Sequence, residues 1–494
     1  MTSAHPPASL LKGLEERLAD DLLWLNMPAK SWIPPRQVDG RDVLDVAVVG
    51  AGLCGLTTLF ALRRAAILNV ACFDRAPQGA EGPWLTYARM PVLRTRKESQ
   101  GLALGVPSLT FRAWFEAQFG RQAFIDMPAI PRDMWMAYMV WYRNVLDLPV
   151  ENDTDVCNIR LTSDGLVEFD AVTAGKSRTL LARRLVLATG IDGMGGAALP
   201  LIARSVPAAY IAHASDDIDI EGLRGKRVAV VGLAASALDN AAAALEAGAA
   251  RVDIFARRPS FPRVDKFSGI AGPGMIHGYV DLPDAVKWQL SVAGERNAVP
   301  PPRHSVLRVS AHANAHFHFG SPVQALKETG GAIEIVTPKG RYGADLVIFA
   351  TGFRVDHTKA PELAALSDRI AMWQDHFRPE PEWERQDLGR YPYLGRHFQF
   401  LPKPGREVTD AAISHIHCFT FPAVMSHGKI TSGVPSVGEG ASRLVEGLAS
   451  SLFVEDRDRH LEAFHGFSRP SLSGDEWTDA DAAVAPSRET PLVA

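Results

Sequence analysis

Cysteine is scarce, with four in 494 residues at positions 54, 72, 157 and 418. No pair has C-x-x-C spacing, which excludes a dithiol redox centre and a cysteine zinc site and points to a reducing compartment. Excess charge of one sign is also lacking, since 52 Lys plus Arg against 56 Asp plus Glu leave a formal charge of −4. Without a basic run interleaved with aromatics, nothing draws the chain to nucleic acid or to an anionic membrane. No apolar run approaches a membrane span, and the N-terminus lacks the basic-then-apolar order of a signal peptide. The expectation is a cytoplasmic protein with neither membrane nor nucleic acid as partner, and a homo-oligomer is compatible with this composition. Ser/His/Asp and paired-carboxylate signatures are missing too. Apolar residues make up 47% of the chain, enough for large cores, and the length calls for two or more domains.

Two glycine turns stand out. Residues 46–55 read Val-Ala-Val-Val-Gly-Ala-Gly-Leu-Cys-Gly, an apolar strand running into G-x-G-x-x-G. In this pattern Gly50 makes the tight turn, Gly52 lets a pyrophosphate approach the backbone, and Gly55 lets the following helix, about 53–66, pack on the strand. A second strand, 69–73, ends at Asp74, 24 residues after Gly50 and placed to accept ribose hydroxyls. Cys54 reads as packing.

The second turn, Arg227-Val-Ala-Val-Val-Gly232-Leu-Ala234-Ala-Ser-Ala237, lacks its middle glycine. A helix to 247 and a strand 252–255 follow it. Ala234 puts a methyl where phosphate would approach, while Ala237 fits the third position. At the strand end stand Arg257 and Arg258 instead of an acid, which suits a 2′-phosphate and favours NADP over NAD. A solvated basic pair before Pro259 is the alternative.

Breakers divide the chain into a helical arm (1–40), a first nucleotide unit (41–204), a second (205–352), a return to the first (353–478) and a flexible tail (479–494). Each nucleotide unit closes on a strand ending Ala-Thr-Gly, at Thr189-Gly190 and Thr351-Gly352. Trp114, Trp135 and Trp141 read as core. His312, His316 and His318 have no Cys or Asp to complete a metal site.

Gly50-Ala-Gly52-Leu-Cys-Gly55, then Gly232-Leu-Ala-Ala-Ser236-Ala237 with Arg257 and Arg258, then Asp345-x-x-x-Phe349-Ala-Thr-Gly352-Phe353 resemble, in this order, the class B flavin-dependent monooxygenases. That group includes flavin-containing monooxygenases, amine N-hydroxylases and Baeyer–Villiger enzymes. The resemblance implies an α/β fold with two Rossmann-like dinucleotide-binding domains, the NADPH domain inserted in a discontinuous FAD domain. It implies FAD at Gly50, Gly52, Gly55, Asp74, Arg75, Thr189 and Gly190, with Trp84 of Gly82-Pro-Trp84 on the flavin side. NADPH would lie at Gly232, Ser236, Ala237, Arg257, Arg258, Thr351 and Gly352. The activity implied is formation of a flavin hydroperoxide with O2 and oxygenation of a nitrogen or sulfur atom of a small molecule.

Two departures accompany the resemblance. One is Ala234. The other is the Baeyer–Villiger fingerprint F-x-G-x-x-x-H, of which only His213 survives in Pro207-Ala-Ala-Tyr-Ile-Ala-His213. Catalytic residues stay unassigned, with Lys97, His213 and His427 as candidates; Lys97 shares its loop with Arg94 and Arg96, able to bind pyrophosphate, an acidic substrate group or only water. Two other classes remain open: an oxidase or reductase without stable NADPH retention, and a redox-sensing nucleotide-binding module.

Overall fold

The structure, a computed structural model, describes residues 10–431 and 433–481. Nearly all of the expected tail at 479–494, and the first nine residues of the expected arm, lie outside them. Within the arm, the helix Lys12–Trp24 buries Leu14 and Leu18 in the main core and leaves Trp24 exposed.

Val46, Ala47 and Val48 are fully buried in the strand Arg41–Val49, as a parallel strand covered on both faces requires. It lies at the centre of a parallel array in the order Val150–Glu151, Val70–Phe73, Arg41–Val49, Lys176–Leu187, Ile416–Cys418. The twelve-residue strand Lys176–Leu187 pairs with Arg41–Val49 on one side and with two strands on the other. Its second half pairs with Ile416–Cys418, while its first half leads into an antiparallel meander with Val167–Thr173 and Thr154–Leu161.

A second parallel sheet runs Ala315–His318, Arg251–Phe255, Arg227–Val231, Leu346–Phe349, Ile211–His213, with a three-stranded antiparallel sheet (Ala325–Thr329, Ala332–Thr337, Gly340–Ala344) beside it. All its strands fall between residues 211 and 349, inside the sequence gap between Lys176–Leu187 and Ile416–Cys418. The second unit is therefore inserted in a discontinuous first. The two chain crossings between the units pair with each other as an antiparallel ribbon, Gly195–Ala197 against Phe353–Val355. A Cβ on Gly195 would lie 1.9 Å from the Arg354 carbonyl oxygen, so the ribbon closes only because that position is glycine.

The returning segment is anchored to the first sheet by charge as well as by a strand. Arg183, fully buried, holds Asp456 at 2.7 Å, and Arg184 holds Glu455 at 2.8 Å, just past and at the end of the helix Val437–Glu455. Removing one partner of such a buried pair costs about 3–5 kcal/mol. Among the described residues no helix is long and apolar enough to cross a membrane, and no cluster of three metal-ligating side chains occurs. His318 instead pairs with Asp253 at 2.7 Å and stacks on Phe255.

Two histidines are sealed in the returning segment. His417 donates from Nδ1 to the His397 carbonyl, and His427 stacks on Phe398 with ring centroids 3.9 Å apart. Burial, helped at His427 by the Arg443 guanidinium, lowers both imidazoles from 6.5 to about 3. The unfolded chain thus takes up protons that the folded chain refuses, so their contribution is complete above pH 6.5 and is lost as pH falls toward 3. The melting temperature is expected to drop between pH 7 and pH 5, and less steeply in His427→Gln. An unchanged slope in that variant would contradict this account.

Candidate active site

In both units the first glycine of the turn sits against the strand that ends in Ala-Thr-Gly. Gly50 has φ +100, and a Cβ there would lie 2.5 Å from the Ala188 carbonyl oxygen. Gly232 has φ +141, and its Cβ would lie 2.6 Å from the Ala350 carbonyl oxygen. The amides match as well: Gly50 donates to Phe73, Ala188 to Val49, Gly232 to Phe255 and Ala350 to Val231. The third position is equally strict in the first unit, where a Cβ on Gly55 would meet the Gly50 carbonyl at 1.8 Å.

Gly52 behaves differently. Its φ of −72 is ordinary, and a Cβ would find only the Gly82 Cα, at 3.9 Å. Nothing in the protein demands glycine there, so the space between Gly52 and Gly82 is a cradle that a side chain would fill. Near it are two buried indole nitrogens without partners, Trp84 Nε1 and Trp135 Nε1. A Cβ on Gly82 would lie 3.6 Å from the Trp84 ring, and that ring lies 6.0 Å from that of Trp135. Buried polar groups are normally hydrogen-bonded, and an open cradle with unpaired donors beside a helix N-terminus fits a dinucleotide. Asp74 is held at the edge, its carboxylate accepting from the amides of Ala51 (2.6 Å) and Ala76 (2.8 Å). That leaves its remaining lone pairs for ribose. Arg75 faces solvent and pairs with Asp192 at 3.2 Å, a surface ion pair beside the cradle.

In the second turn, Gly232 leads into Ala234, the exposed N-cap of the helix Ala235–Glu246. Ser236 is exposed at the helix start and Ala237 is packed out of contact with water. The two arginines separate: Arg257 is exposed with no hydrogen bond among the described residues. Arg258 donates to the carbonyls of Glu295 (2.9 Å) and Arg296 (3.0 Å), capping the helix Asp284–Asn297.

Several candidates are engaged in contacts within the protein. Lys97 gives its ammonium to the carbonyls of Phe124, Ile125 and Met127 at 2.7, 2.8 and 2.7 Å, closing the end of the helix Phe111–Asp126. His427 is walled in, bonded through Nε2 to the Gly395 carbonyl at 3.0 Å. His213 sits under the ribbon, donating from Nε2 to the Gly352 carbonyl at 3.0 Å, with Nδ1 on Ser215. Burial holds its pKa below the ordinary value, so it stays a neutral donor. Thr351 and Gly352 bond to Ala198 across the same ribbon, at 2.6 and 2.9 Å, which ties them to the hinge. Asp345 clasps Arg227 at 2.6 Å, joining the starts of neighbouring strands. Burial pushes the Cys54 thiol up to about 12, leaving it no thiolate to react with. A cavity of about 710 Å³ lined by Leu199, Leu201, Val206, Ile211 and Arg354 flanks the hinge, and none of its lining residues belongs to a glycine turn.

Residues outside the sequence motifs complete the site. Gly101 lies 3.5 Å from both Trp135 and Val434 at the positions a Cβ would contact, and the Cys54 thiol donates to the Thr431 carbonyl at 3.1 Å. Thr431 therefore sits at the start of the first-turn helix, and Val434 and Trp135 both lie against Gly101. Arg94 crosses from the flavin-side loop to Asp239 on the second-turn helix at 2.8 Å. That ion pair bridges the two units beside the space between the turns, the inter-unit cleft.

A family profile described as FAD-NAD(P)-binding matches residues 47–192. Over 476 residues, 96% of the chain, it is 38% identical to the full length of the FAD-dependent urate hydroxylase of Xanthomonas campestris pv. campestris. The chain belongs to the flavin-dependent monooxygenase family of that urate hydroxylase. Solved structures show the same fold for the monooxygenase at lower identity. The ornithine N-hydroxylase KtzI of Kutzneria sp. 744 matches with TM-score 0.63 and 19% identity over 83% of this chain and 99% of that one. The cadaverine monooxygenase DfoA of Erwinia amylovora, bound to FAD, matches with TM-score 0.63 and 15% identity over 83% and 95%. The cofactors of the monooxygenase are FAD and a nicotinamide dinucleotide.

The cradle makes one expectation sharp. Gly52→Val meets almost nothing in the protein, so the variant should fold with a near-wild-type melting temperature in the absence of flavin while losing most bound FAD on purification. Full flavin content in that variant would show that the cradle lies elsewhere.

Proposed function

We propose that this monooxygenase hydroxylates a purine of the urate type, using FAD, NADPH and O2. The observation that carries the reading is the full-length 38% match to a urate hydroxylase, over a chain that holds both glycine turns. When bound, FAD supplies the two-electron store and the activation of O2. The chain's own work is binding, orientation and exclusion of water. The first-turn helix amides receive the pyrophosphate with Gly52 and Gly82 leaving it room, and Asp74 is positioned to take the ribose hydroxyls. Phe111, Trp114, Trp135 and Tyr138 form a dry aromatic wall behind Trp84, which limits access of water to the reacting centre.

NADPH is preferred over NADH through Arg257, whose guanidinium is free to meet a 2′-phosphate. Arg258, engaged on a helix end, supports that strand from behind. Ala234 stands on open surface at the helix cap, where its methyl narrows the phosphate approach without closing it.

Urate carries no free amine. Its nitrogens share their lone pairs with carbonyl groups or with the ring, and its electron density gathers at the double bond joining the two rings. The sequence resemblance implied oxygenation of a nitrogen or sulfur atom without insertion beside a ketone, and for urate we place the oxygenation at this electron-rich double bond. Pro207 and Ala209 replace two fixed positions of the Baeyer–Villiger linker, and proline removes an amide donor there.

Two measurements follow. NADPH consumption by the flavin-loaded enzyme should rise strongly with urate and little with primary amines, thioethers or cyclic ketones; stimulation by an amine with none by urate would replace the purine reading. Arg257→Ala should reduce the preference for NADPH over NADH by about 10- to 150-fold, the loss of one charge-assisted bond. Arg258→Ala should lower thermal stability more than coenzyme preference. The reverse ranking would reassign the 2′-phosphate contact.

A further inference from the structure

We propose that Lys429 and Phe267, one from each unit, form the subsite that receives the planar anionic ring of the substrate, an inference that rests on the purine reading above. The Lys429 ammonium lies 4.3 Å from the centroid of the Phe267 ring and has no carboxylate or hydrogen-bond partner among the described residues. Several other cations are engaged, Lys97 on three carbonyls, Arg94 on Asp239, Arg443 on the carbonyl of Ile276 at 2.7 Å and Lys287 near Asp284, whereas the Arg96 and Arg257 side chains are exposed and, like that of Lys429, have no hydrogen-bond partner among the described residues.

Both partners rise from fixed backbone. The Lys429 carbonyl accepts from Ser436 Oγ at 2.8 Å, and the next two residues are anchored through Thr431 to Cys54 and to the Thr420 carbonyl at 2.9 Å. Before it, Gly428 has φ +72, and a Cβ there would press on the Tyr279 ring at 3.0 Å. On the other side, Asp265 caps the turn Lys266–Gly269 by accepting from the Phe267 amide at 3.0 Å. The Phe267 ring fills a notch over Gly294, where a Cβ would lie 2.7 Å away. The lysine side chain itself is exposed, so its free end is the mobile part of an otherwise rigid pair.

A lone ammonium over a benzene face is held weakly when exposed to water. A planar anion offers each group a better partner at once, since its ring stacks on Phe267 while its charge takes the ammonium. Two residues after Lys429, the Thr431 carbonyl accepts from the Cys54 thiol, which ties this segment to the first-turn helix. Urate, a flat heteroaromatic anion at neutral pH, has that chemistry.

The test is titration of the oxidised, FAD-loaded enzyme with urate and with uncharged 1,3,7-trimethylxanthine, read by the change in flavin absorbance. Wild type should bind urate more tightly. Lys429→Gln should weaken urate by roughly 10- to 150-fold with little change for the uncharged purine, and Lys429→Arg should restore much of the loss. Phe267→Leu should weaken both purines. Flavin content and NADPH affinity should stay as in wild type. Urate affinity within twofold of wild type in Lys429→Gln, or a loss carried instead by Arg96→Gln, would overturn the subsite. Failure of wild type to bind either purine defeats the purine reading itself; the subsite is then judged on the substrate found by turnover, and an uncharged or cationic one overturns it.

Discussion

The contact between a glycine and the carbonyl of a neighbouring strand end organises both halves of this enzyme. Gly50 against Ala188 and Gly232 against Ala350 are the same contact made twice, at 2.5 and 2.6 Å from the position a Cβ would take. Each forces the chain to leave its strand sharply, so that the next helix starts with free amides directed at the cleft. The small residue of each Ala-Thr-Gly stretch is explained by the same approach. The two turns differ at the second position. Glycine at 52 leaves an open cradle facing Gly82, whereas Ala234 carries a methyl at the exposed cap of the second-turn helix.

A second constraint holds these turns in relation to each other. The chain crosses between units twice, and the crossings are bonded into one ribbon with His213 beneath it. A neutral imidazole there donates to the Gly352 carbonyl, and Thr351 reaches Ala198 across the same ribbon. Residues that look like chemistry in sequence are therefore occupied with geometry. This agrees with cofactor enzymes in general, where the protein's task is to place and shield the reactive group.

Much of this was legible in the sequence for a physical reason. Strand, glycine turn and helix are local, so the glycine spacing at 50–55 and 232–237, Asp74 at a strand end and the paired Ala-Thr-Gly stretches can be read in one dimension. Insertion of the second unit followed from their order. The part that was not legible is long-range. Nothing near Lys97 announces that its ammonium closes a helix thirty residues on, and nothing in Arg257-Arg258 tells which guanidinium is free until the helix Asp284–Asn297 is seen to end against Arg258. Asp345 opens one of the stretches that carry the resemblance to the class B monooxygenases, yet its carboxylate is spent on Arg227, so that stretch reports the sheet and says little of the substrate. The meeting of Phe267 with Lys429 joins residues far apart in sequence and has no local signal at all.

The account stands on oxygen transfer from O2 to a purine in the cleft between the two turns. The most direct measurement is a single incubation of the FAD-loaded enzyme with NADPH and urate under ¹⁸O-labelled O2, followed by mass analysis of the product. One labelled oxygen per product molecule, with one NADPH consumed for each, is the predicted result. Product oxygen drawn from water, or NADPH consumed with hydrogen peroxide as the sole oxygen product, would contradict it.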